Sequence, residues 1–376
     1  MSNFELFQNM LKEADITLNG NRPWDIQIHD EAVFDRVLKS GSLGFGETYM
    51  DGMWDCEQID VMLNKVIRAK IDQKISSMTK LKLGAAKVRS FFNPQSIARA
   101  KKDVSSHYDT GNDLFEIMLD KNMAYTCAYW QNAESLDEAQ DKKLDLICRK
   151  LDLKSGQRVL DIGCGWGSFM HYAAKNYGVI CDGLTLSVEQ AKLGEDRCKN
   201  LPVRFILEDY REYQPDEPYD HVVSIGMLEH VGPDNYETYF KCAEKFLAEN
   251  GIFLLHTIGG NVSNTVSDCD PWIRKYIFPN GVIPSISQLG KATEQRFNME
   301  DLHNFGPDYD KTLVAWNERF EDAWPDLANK YSEKFHRMWR YYLLSCASAF
   351  RARDLNLWQL ALTKIGHEHP SAVRAC

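Results

Sequence analysis

A glycine-rich turn near the middle of the chain reads Leu160-Asp161-Ile162-Gly163-Cys164-Gly165-Trp166-Gly167-Ser168. The apolar residues before it predict a strand from Arg158 to Ile162, and the residues after it have helical spacing as far as Tyr177. Glycines at such a turn let the backbone approach a ligand closely and place that ligand at the helix N-terminus. The stretch therefore predicts a ligand site at the end of a buried strand. A glycine-rich turn that holds no ligand is the alternative.

Strand and helix patterns alternate from this turn to the end of the chain. The predicted strands span 158–162, 179–184, 203–208, 221–226, 252–258 and 355–362. The predicted helices span 168–177, 188–199, 236–248 and parts of 311–352. Alternation at this spacing predicts an α/β fold in which a mostly parallel sheet carries helices on both faces. Ligands in such sheets bind at the carboxyl ends of the strands, where the glycine-rich turn lies.

Two details separate this turn from the turn of dinucleotide-binding enzymes. Ser168 stands where the dinucleotide spacing requires a third glycine, and Asp161 lies two residues before the first glycine. In this form the turn resembles the S-adenosylmethionine loop of class I methyltransferases. The resemblance implies a Rossmann-like, mostly parallel seven-stranded sheet, and it disfavours a nicotinamide-dependent dehydrogenase.

The end of the second strand departs from the usual methyltransferase pattern. Many class I methyltransferases place an acid there to bind the ribose hydroxyls, whereas Thr185 and Gln190 of this chain offer neutral hydrogen bonds. Asp209 follows the third strand and is predicted to accept a hydrogen bond from the adenine amino group. Capping of a turn is the alternative role for Asp209.

Composition and charge limit the class of protein. The 376 residues are enough for two domains, and an apolar fraction of 44% supports a sizeable core. The net charge of −10 disfavours nucleic acid as a partner. We find neither the pattern of a signal peptide nor an apolar run of about 18 residues. The ten cysteines include no CxxC pair, which predicts reduced thiols, a cytoplasmic location and no metal site.

A basic segment at residues 65–102 contrasts with the acidic remainder, since it holds eleven lysines or arginines and one acid, Asp72. Apolar residues at steps of three and four from Ile67 to Phe92 predict an amphipathic helix. One interpretation is that this helix docks on an anionic membrane surface. The other is that it packs on its own protein with a solvated basic face, and the two are compatible.

Several longer motifs occur in one order along the chain. Besides the glycine-rich turn they are Glu47–Trp54, His107–Phe115, Tyr125–Trp130, Gly226–Gly232, His256–Gly259, Pro271–Gly281 and Phe350–Asp354. With these motifs the sequence, from about residue 10 to 365, resembles the bacterial cyclopropane-fatty-acyl-phospholipid synthases of the cyclopropane and mycolic acid synthase family. The resemblance implies transfer of a methylene from S-adenosyl-L-methionine to the cis double bond of unsaturated acyl chains in membrane phospholipids. A related lipid C-methyltransferase on another acyl or sphingoid substrate is the alternative, and a non-catalytic lipid-surface module is a third hypothesis.

The resemblance also implies site residues. Those implied for the cofactor are Tyr125, Thr126, Leu160, Asp161, Ile162, Gly163, Cys164, Gly165, Trp166, Gly167, Ser168, Thr185, Leu186, Ser187, Gln190, Asp209 and Tyr210. Those that match the positions at which the family binds a bicarbonate ion, the general base, are Cys127, Glu229, His256, Ile258 and Tyr309. Cys346 matches a cysteine that is active in the family; a buried, small apolar side chain is the alternative for this residue. A purely structural role is likewise the alternative for Glu229 and for His256.

We expect two domains. A smaller, mainly helical N-terminal domain at 1–100 is predicted to bind the lipid surface and the substrate, and a catalytic domain is predicted at 101–376. The expected partner is a phospholipid bilayer with unsaturated acyl chains, preferably anionic, which the protein meets peripherally at the inner face of the membrane. The resemblance is also compatible with a homodimer.

Overall fold

The computed structural model describes residues 2–71, 73–75, 112–368 and 370, and these form two compact units. The first unit contains 2–75 together with Asp268–Pro279 and Asp310–Leu355. The second contains 112–267, Asn280–Tyr309 and 356–370. The first unit therefore takes up two later segments that the predicted N-terminal domain does not include. The boundary predicted near residue 100 lies outside the described residues.

Helices and strands alternate along most of the described chain. The helices are α1 (Asn3–Lys12), α2 (Ala32–Met50), α3 (Ile59–Arg68), α4 (Asn112–Met118), α5 (Leu136–Lys150), α6 (Ser168–Tyr177), α7 (Val188–Arg197), α8 (Tyr236–Phe246), α9 (Pro271–Tyr276), α10 (Ile286–Thr293), α11 (Pro307–Leu327) and α12 (Glu333–Arg351). The strands are β1 (Gln27–Ile28), β2 (Trp54–Asp55), β3 (Arg158–Ile162), β4 (Ile180–Thr185), β5 (Val203–Leu207), β6 (Tyr219–Ile225), β7 (Leu247–Gly260), β8 (Phe297–Asn304) and β9 (Leu355–Lys364). β8 is not among the predicted strands, because its polar residues obscure the apolar alternation of a strand.

The second unit is built on a seven-stranded sheet in the order β5-β4-β3-β6-β7-β9-β8. Neighbours from β5 to β7 pair in parallel, and β8 pairs with β9 antiparallel. The order of the strands reverses between β3 and β6. A reversal of this kind opens a crevice at the carboxyl ends of the two strands, which is where ligands bind in such sheets. The glycine-rich turn begins at this point.

Side chains of alternate residues fill the two faces of the sheet. Leu160 and Ile162 of β3 belong to one core cluster with Phe253 and Leu255 of β7. Val159 of β3, with Ile252 and Leu254 of β7, belongs to the cluster on the other face. Successive side chains of a strand point to opposite faces, so strands buried on both faces need continuous apolar runs. This requirement explains the apolar runs from which the strands were predicted.

The first unit is held together by its C-terminal helix. α12 packs against α3 and α2. Arg351 of α12 forms ion pairs with Asp60 of α3 at 2.6 Å and with Asp310 of α11 at 2.8 Å. Arg337 donates a hydrogen bond to the Trp54 carbonyl oxygen of β2 at 2.8 Å. These contacts explain why residues 310–355 group with the N-terminal helices.

The start of the basic segment differs from its prediction as one continuous helix. α3 ends at Arg68, and Lys70 has a positive φ of 56°, which interrupts the helix before Ile71. Lys65 pairs with Asp15 at 2.9 Å. The apolar stripe therefore does not run unbroken from Ile67, and part of the basic charge is paired within the first unit. The remainder of the segment, from 76 to 102, lies outside the described residues.

No helix in the described part of the chain is long and apolar enough to cross a lipid bilayer. No group of three or more His, Cys, Asp or Glu side chains among the same residues is arranged to hold a metal ion.

Candidate active site

Backbone bonds to the neighbouring strand hold the glycine-rich turn in shape. The N–H groups of Gly163 and Cys164 both donate to the Leu184 carbonyl oxygen of β4 at 3.0 Å. Gly163, Gly165 and Gly167 have φ angles of 85°, 54° and 76°, values that residues with a side chain seldom adopt. A Cβ on Gly165 would meet no described heavy atom within 4 Å. The turn therefore offers open backbone at the N-terminus of α6, which suits the close approach of a ligand.

Two side chains of the turn tie it to the preceding part of the unit. Trp166 donates from its indole N–H to the Asn112 side-chain oxygen at 3.3 Å. The Ser168 hydroxyl donates to the Met123 carbonyl oxygen at 2.9 Å. These bonds fasten the turn to residues 112–123, so its position depends on more than its own strand and helix.

Asp161 is a buried carboxyl group at the carboxyl end of β3. Its side-chain Oδ1 has no hydrogen-bond partner among the described residues. Burial raises the pKa of Asp161 to about 7, and the nearby Lys143 ammonium opposes that rise. Buried oxygens are normally hydrogen-bonded, so this one calls for a donor from a ligand. The hydroxyl and amino groups of S-adenosylmethionine are donors of this kind, and the site therefore fits that cofactor.

The residues predicted at the end of β4 also cap a helix. The Ser187 N–H donates to Thr185 Oγ1, and the Gln190 N–H donates to Ser187 Oγ, both at 3.2 Å. Ser187 is the N-cap of α7, and Leu186 beside it is partly buried. Local structure thus accounts for part of this pattern, and the cofactor role of these residues stays a prediction.

Asp209 lies after β5 and is paired with a cation. Its two carboxylate oxygens accept from the Arg211 guanidinium at 2.8 and 2.6 Å, and one of them also accepts the Arg211 N–H at 3.0 Å. The last bond is the turn-capping role given above as the alternative. Tyr210 next to it is buried and meets Tyr239 edge to face at 5.4 Å. A contact with the adenine amino group stays a prediction.

The segment 125–127 lies between the two groups of predicted residues. The Tyr125 ring lies 5.1 Å from Phe115, which lies 5.1 Å from Trp166 of the turn. Thr126 accepts a hydrogen bond from Lys143 through its hydroxyl oxygen. The next residue, Cys127, is fully buried and belongs to the cluster described below. One short segment thus serves both parts of the candidate site.

The structure brings together the residues predicted to bind an anion. Cys127 forms a buried cluster with Phe305 and Leu357, against which Ile258 and Tyr309 pack. The His256 ring meets Phe305 edge to face at 5.8 Å. The Ile258 N–H donates to Glu229 Oε1 at 2.7 Å. All five predicted residues are therefore connected through direct contacts within the second unit, although they come from distant parts of the chain.

Glu229 is a buried carboxyl group that is not paired with any cation in the described part of the chain. It lies in a short 3₁₀ helix just after β6. Burial raises its pKa to about 7, and the hydrogen bond from the Ile258 N–H opposes that rise. Glu229 Oε2 has no hydrogen-bond partner among the described residues. The carboxyl group thus has a pKa near neutrality and one oxygen without a described partner. Both properties suit a group that exchanges a proton with a neighbouring molecule or accepts a hydrogen bond from it.

His256 is a neutral, fully buried imidazole in β7. Burial lowers its pKa well below the usual value, and the cations of Lys143 and Lys150 add to that effect. Its Nδ1 lies 3.3 Å from the Gln359 side-chain nitrogen of β9, and its Nε2 has no partner among the described residues. With Gln359 as the donor, Nε2 carries the proton and is available to donate a hydrogen bond.

Cys346 lies in α12 of the first unit, whereas the other five residues predicted for catalysis lie in the second. Burial raises the pKa of its thiol to about 12, and the nearby Asp270 adds to the rise. A thiol of this pKa is protonated at neutral pH and is a poor nucleophile. The structure thus favours the interpretation of Cys346 as a small apolar side chain.

Three buried polar residues near the site were not predicted. Lys143 and Gln140 lie on α5, and Gln359 lies on β9. A signal for the first two exists in the sequence, because they share a helical face with Leu144 and Ile147. A lysine on an apolar helical face is an unusual arrangement, since burial of an unpaired charge is costly.

The reversal of strand order, the glycine-rich turn and the seven-stranded sheet define a class I methyltransferase fold. A family model, mycolic acid cyclopropane synthetase, matches residues 95–360. The chain therefore belongs to this family. The predicted family, fold class and enzyme class, an S-adenosylmethionine-dependent methyltransferase, are confirmed.

Individual proteins and solved structures are also similar to this chain. The chain is 50% identical to the cyclopropane-fatty-acyl-phospholipid synthase of Escherichia coli strain K12 over 361 residues, which cover 96% of this chain and 93% of the relative. The solved structure of the cyclopropane synthase MmaA2 from Mycobacterium tuberculosis matches with a TM-score of 0.65 and 33% identity over 70% of this chain and 97% of that one. Mycolic acid cyclopropane synthase CmaA1, complexed with SAH and CTAB, matches with a TM-score of 0.64 and 32% identity over the same shares.

Proposed function

We propose that the chain is a synthase that transfers a methylene from S-adenosylmethionine to the cis double bond of unsaturated acyl chains in phospholipids. The products are a cyclopropane ring and S-adenosylhomocysteine. The observation that carries the proposal is the group of Cys127, Glu229, His256, Ile258 and Tyr309, in which buried polar atoms of Glu229 and His256 have no hydrogen-bond partner among the described residues. The 50% identity to a phospholipid synthase favours this acceptor over another acyl or sphingoid substrate.

The reaction places three requirements on the protein. S-adenosylmethionine supplies an electrophilic sulfonium methyl, to which the alkene π electrons form a new carbon–carbon bond while the sulfur–carbon bond breaks. A cation then remains on the acyl chain. Loss of a proton from the transferred methyl frees the C–H electron pair to close the ring. The chain must therefore hold the alkene beside the methyl donor, stabilise the cation and provide a base.

The base that we propose is a bicarbonate ion held by the cluster. The residues that would hold this ion are Glu229, whose Oε2 would accept from the bicarbonate hydroxyl, and His256 and Tyr309, whose Nε2 and hydroxyl would donate to its charged oxygens. The backbone N–H of Cys127 would be a further donor. The Ile258 N–H acts through Glu229, because it already donates to Glu229 Oε1. When bound, the bicarbonate would supply the base that takes the proton from the transferred methyl.

Aromatic rings near the cluster support the cation. Tyr129 and Tyr309 both pack against the Cys127–Phe305–Leu357 cluster. Each aromatic face attracts a cation by about 0.5–2 kcal/mol. The rings also exclude water, which would otherwise trap the cation as an alcohol.

Product analysis tests the proposed function. Purified protein is incubated with S-adenosylmethionine, bicarbonate and vesicles of unsaturated phospholipid, and the acyl chains are analysed by mass spectrometry and NMR. We expect chains heavier by one CH₂ that lack the alkene, and a lower rate in carbonate-depleted buffer. A product that keeps the alkene or carries a saturated methyl branch contradicts the proposal. A rate that is independent of carbonate contradicts only the bicarbonate role.

The proposal extends to the membrane. We propose that the protein is cytoplasmic, meets the inner face of the membrane peripherally as a homodimer, and prefers anionic bilayers through its basic segment. The support is the charge of that segment, since each lysine or arginine near anionic headgroups contributes about 1 kcal/mol. The four residues proposed for this contact, which lie outside the described residues, are Lys80, Lys82, Lys87 and Arg89.

Vesicle sedimentation tests the membrane contact. Replacement of the four residues by glutamine is expected to weaken binding to anionic vesicles, most clearly at low salt. A control of equal charge change replaces four exposed lysines of the second unit, which are Lys175, Lys192, Lys199 and Lys241. Equal binding by both variants contradicts the role of the basic segment.

A further inference from the structure

The inward face of α5 carries two polar side chains one helical turn apart. Gln140 is fully buried, and Lys143 is 1% exposed. Lys143 forms no ion pair within 4 Å among the described residues, in contrast to Lys150 on the same helix, which pairs with Asp301 at 3.2 Å. A buried ammonium without a directly paired carboxylate is costly, because it loses its hydration. Its retention calls for a function.

Both side chains hold the segment 124–126. Gln140 donates from its side-chain nitrogen to the carbonyl oxygens of Ala124 and Thr126 at 3.2 and 2.9 Å. Lys143 donates from Nζ to Thr126 Oγ1 at 2.9 Å. Asp120 accepts the Ala124 N–H at 2.9 Å. The segment is therefore fixed by three side chains, and among the described residues only Lys143 bonds to the side chain of Thr126.

Thr126 has no freedom to turn. Its hydroxyl faces Lys143, and its methyl lies against Gly226 at the end of β6, where an added Cβ would be 2.6 Å from Thr126 Cγ2. The hydroxyl and the methyl share one Cβ atom, so fixing both fixes χ1. The side chain of Thr126 is thus locked between α5 and the end of β6, beside the crevice.

The chemistry of the pair sets the direction of the hydroxyl hydrogen. An ammonium can only donate, so Thr126 Oγ1 must accept from Lys143. The hydroxyl hydrogen is then free for an acceptor elsewhere. Thr126 matches a cofactor contact of the family, and the charge of Lys143 behind it favours an anionic acceptor. The anionic group of S-adenosylmethionine is the carboxylate of its methionine part.

We infer that Lys143 is a positioning residue that makes Thr126 a directed hydrogen-bond donor to the carboxylate of S-adenosylmethionine. The inference rests on the proposed function, because the identity of the cofactor comes from that proposal. It adds a residue of α5 that supports cofactor binding without touching the cofactor.

The charge of Lys143 makes the inference sensitive to pH. Burial lowers the pKa of Lys143 to about 8, and the carboxylates of Asp120 and Asp161, together with Cys127, oppose that change. Below about pH 8 the ammonium is present and Thr126 is held as a donor. Above it the neutral amine can itself accept, so the direction of the Thr126 hydrogen is no longer enforced. Cofactor affinity should therefore fall as the pH rises through about 8.

Calorimetric titration with S-adenosylhomocysteine tests the inference, because this ligand has the same carboxylate and does not turn over. Lys143→Met is expected to raise Kd about tenfold, as expected for loss of a charge-assisted bond. Thr126→Val keeps the shape and removes the hydroxyl, and we expect a similar loss. The double variant should lose no more than Thr126→Val alone, whereas independent structural effects would add. Additive losses, or Lys143→Met with the affinity of the wild type, overturn the inference.

Two further measurements protect the test against misfolding. Lys150→Met removes a buried lysine from the same helix, and its Kd is expected to stay within about twofold of the wild type. If Lys143→Met does not fold, Thr126→Val is titrated at pH 7 and pH 9 beside the wild type. The amino group of the ligand titrates equally in both, so the ratio of the two Kd values isolates Lys143. A ratio that stays constant with pH overturns the inference, and a wild type that does not bind the ligand contradicts the proposed function instead.

Discussion

Two buried carboxyl groups at the ligand end of the sheet have opposite surroundings. Asp209, at the predicted cofactor end, pairs with Arg211 at 2.6 Å and accepts a backbone N–H as well. Glu229, at the predicted anion end, accepts the Ile258 N–H and forms no ion pair with a described cation, and burial raises its pKa to about 7. The Arg211 guanidinium occupies both oxygens of Asp209, whereas a carboxyl group that is buried without a paired cation can exchange a proton near neutral pH. The difference supports the proposal that cofactor binding and proton transfer take place at different ends of the crevice.

The largest expected effect concerns this division. Glu229→Gln keeps the size of the side chain but, with the amide oxygen accepting the Ile258 N–H, places an NH2 donor where the bicarbonate hydroxyl needs an acceptor, so we expect turnover to fall by about 10²–10⁴-fold. The Kd for S-adenosylhomocysteine should change less than about threefold, because the cofactor end is untouched. Steady-state kinetics and calorimetry measure the two quantities. Equal losses of turnover and affinity would place Glu229 in the cofactor site and contradict the separate roles of Asp209 and Glu229.

Glu237→Gln is the matched control for that substitution. Glu237 lies on α8 with its side chain 85% exposed, and it forms a long ion pair with Arg296 at 3.8 Å. The same chemical change at this place should leave turnover within about twofold of the wild type, because exposed pairs of this kind contribute little.

The two ends of the crevice also differ in what their sequences could show. The cofactor turn is local: a strand, three glycines with positive φ and a helix follow one another within 20 residues, so spacing alone indicates a ligand site. The anion cluster is assembled from segments around residues 127, 229, 256, 309 and 357, and only the fold brings them together. Its members were predicted through family resemblance and not from local pattern.

Burial and long-range contacts account for the features that were not predicted from the sequence. Lys143 follows Lys142, and in the sequence only the helical face that it shares with Leu144 and Ile147 distinguishes it; in the structure Lys143 is buried and bonded to Thr126, whereas Lys142 is not buried. The interruption at Lys70 was missed because its neighbours continue the helical spacing, although the backbone turns there. The additions to the first unit from 268–279 and 310–355 depend on ion pairs such as Arg351–Asp60, which join residues far apart in the chain.

The second effect concerns stability and follows from the same pKa. In the unfolded chain Glu229 has the ordinary pKa of 4.5, and in the folded protein about 7. Between these values the folded state keeps a proton that the unfolded state releases, so the stability from this group is full below pH 4.5 and is lost as the pH rises to 7. Glu229→Gln cannot ionise and should be more stable than the wild type at pH 8 by about 3 kcal/mol, with little difference at pH 5.

Urea unfolding at both pH values measures this difference. Glu237→Gln serves again as the control, since an exposed carboxyl group has no such penalty to remove. A gain for Glu229→Gln that is the same at pH 5 and pH 8 would mean that better packing, and not removal of a buried charge, stabilises the variant. An unpaired buried charge would then not be what distinguishes Glu229 from Asp209.

The smallest expected effect concerns cofactor binding at the glycine-rich turn. Gly165→Ala adds a methyl group where no described heavy atom lies within 4 Å, on the backbone surface that we assign to the cofactor. Gly156→Ala is a matched control, because Gly156 also has a positive φ, 86°, and open space around its Cβ, but lies in the turn before β3. Both should lose about 1 kcal/mol of stability from the strained backbone. Only Gly165→Ala should weaken binding of S-adenosylhomocysteine, by several-fold to about tenfold, because its methyl group occupies space that the ligand needs. Equal Kd values for the two variants would show that the open surface at Gly165 does not face the cofactor, and Asp161 with its unpaired oxygen would then be the remaining marker of that end.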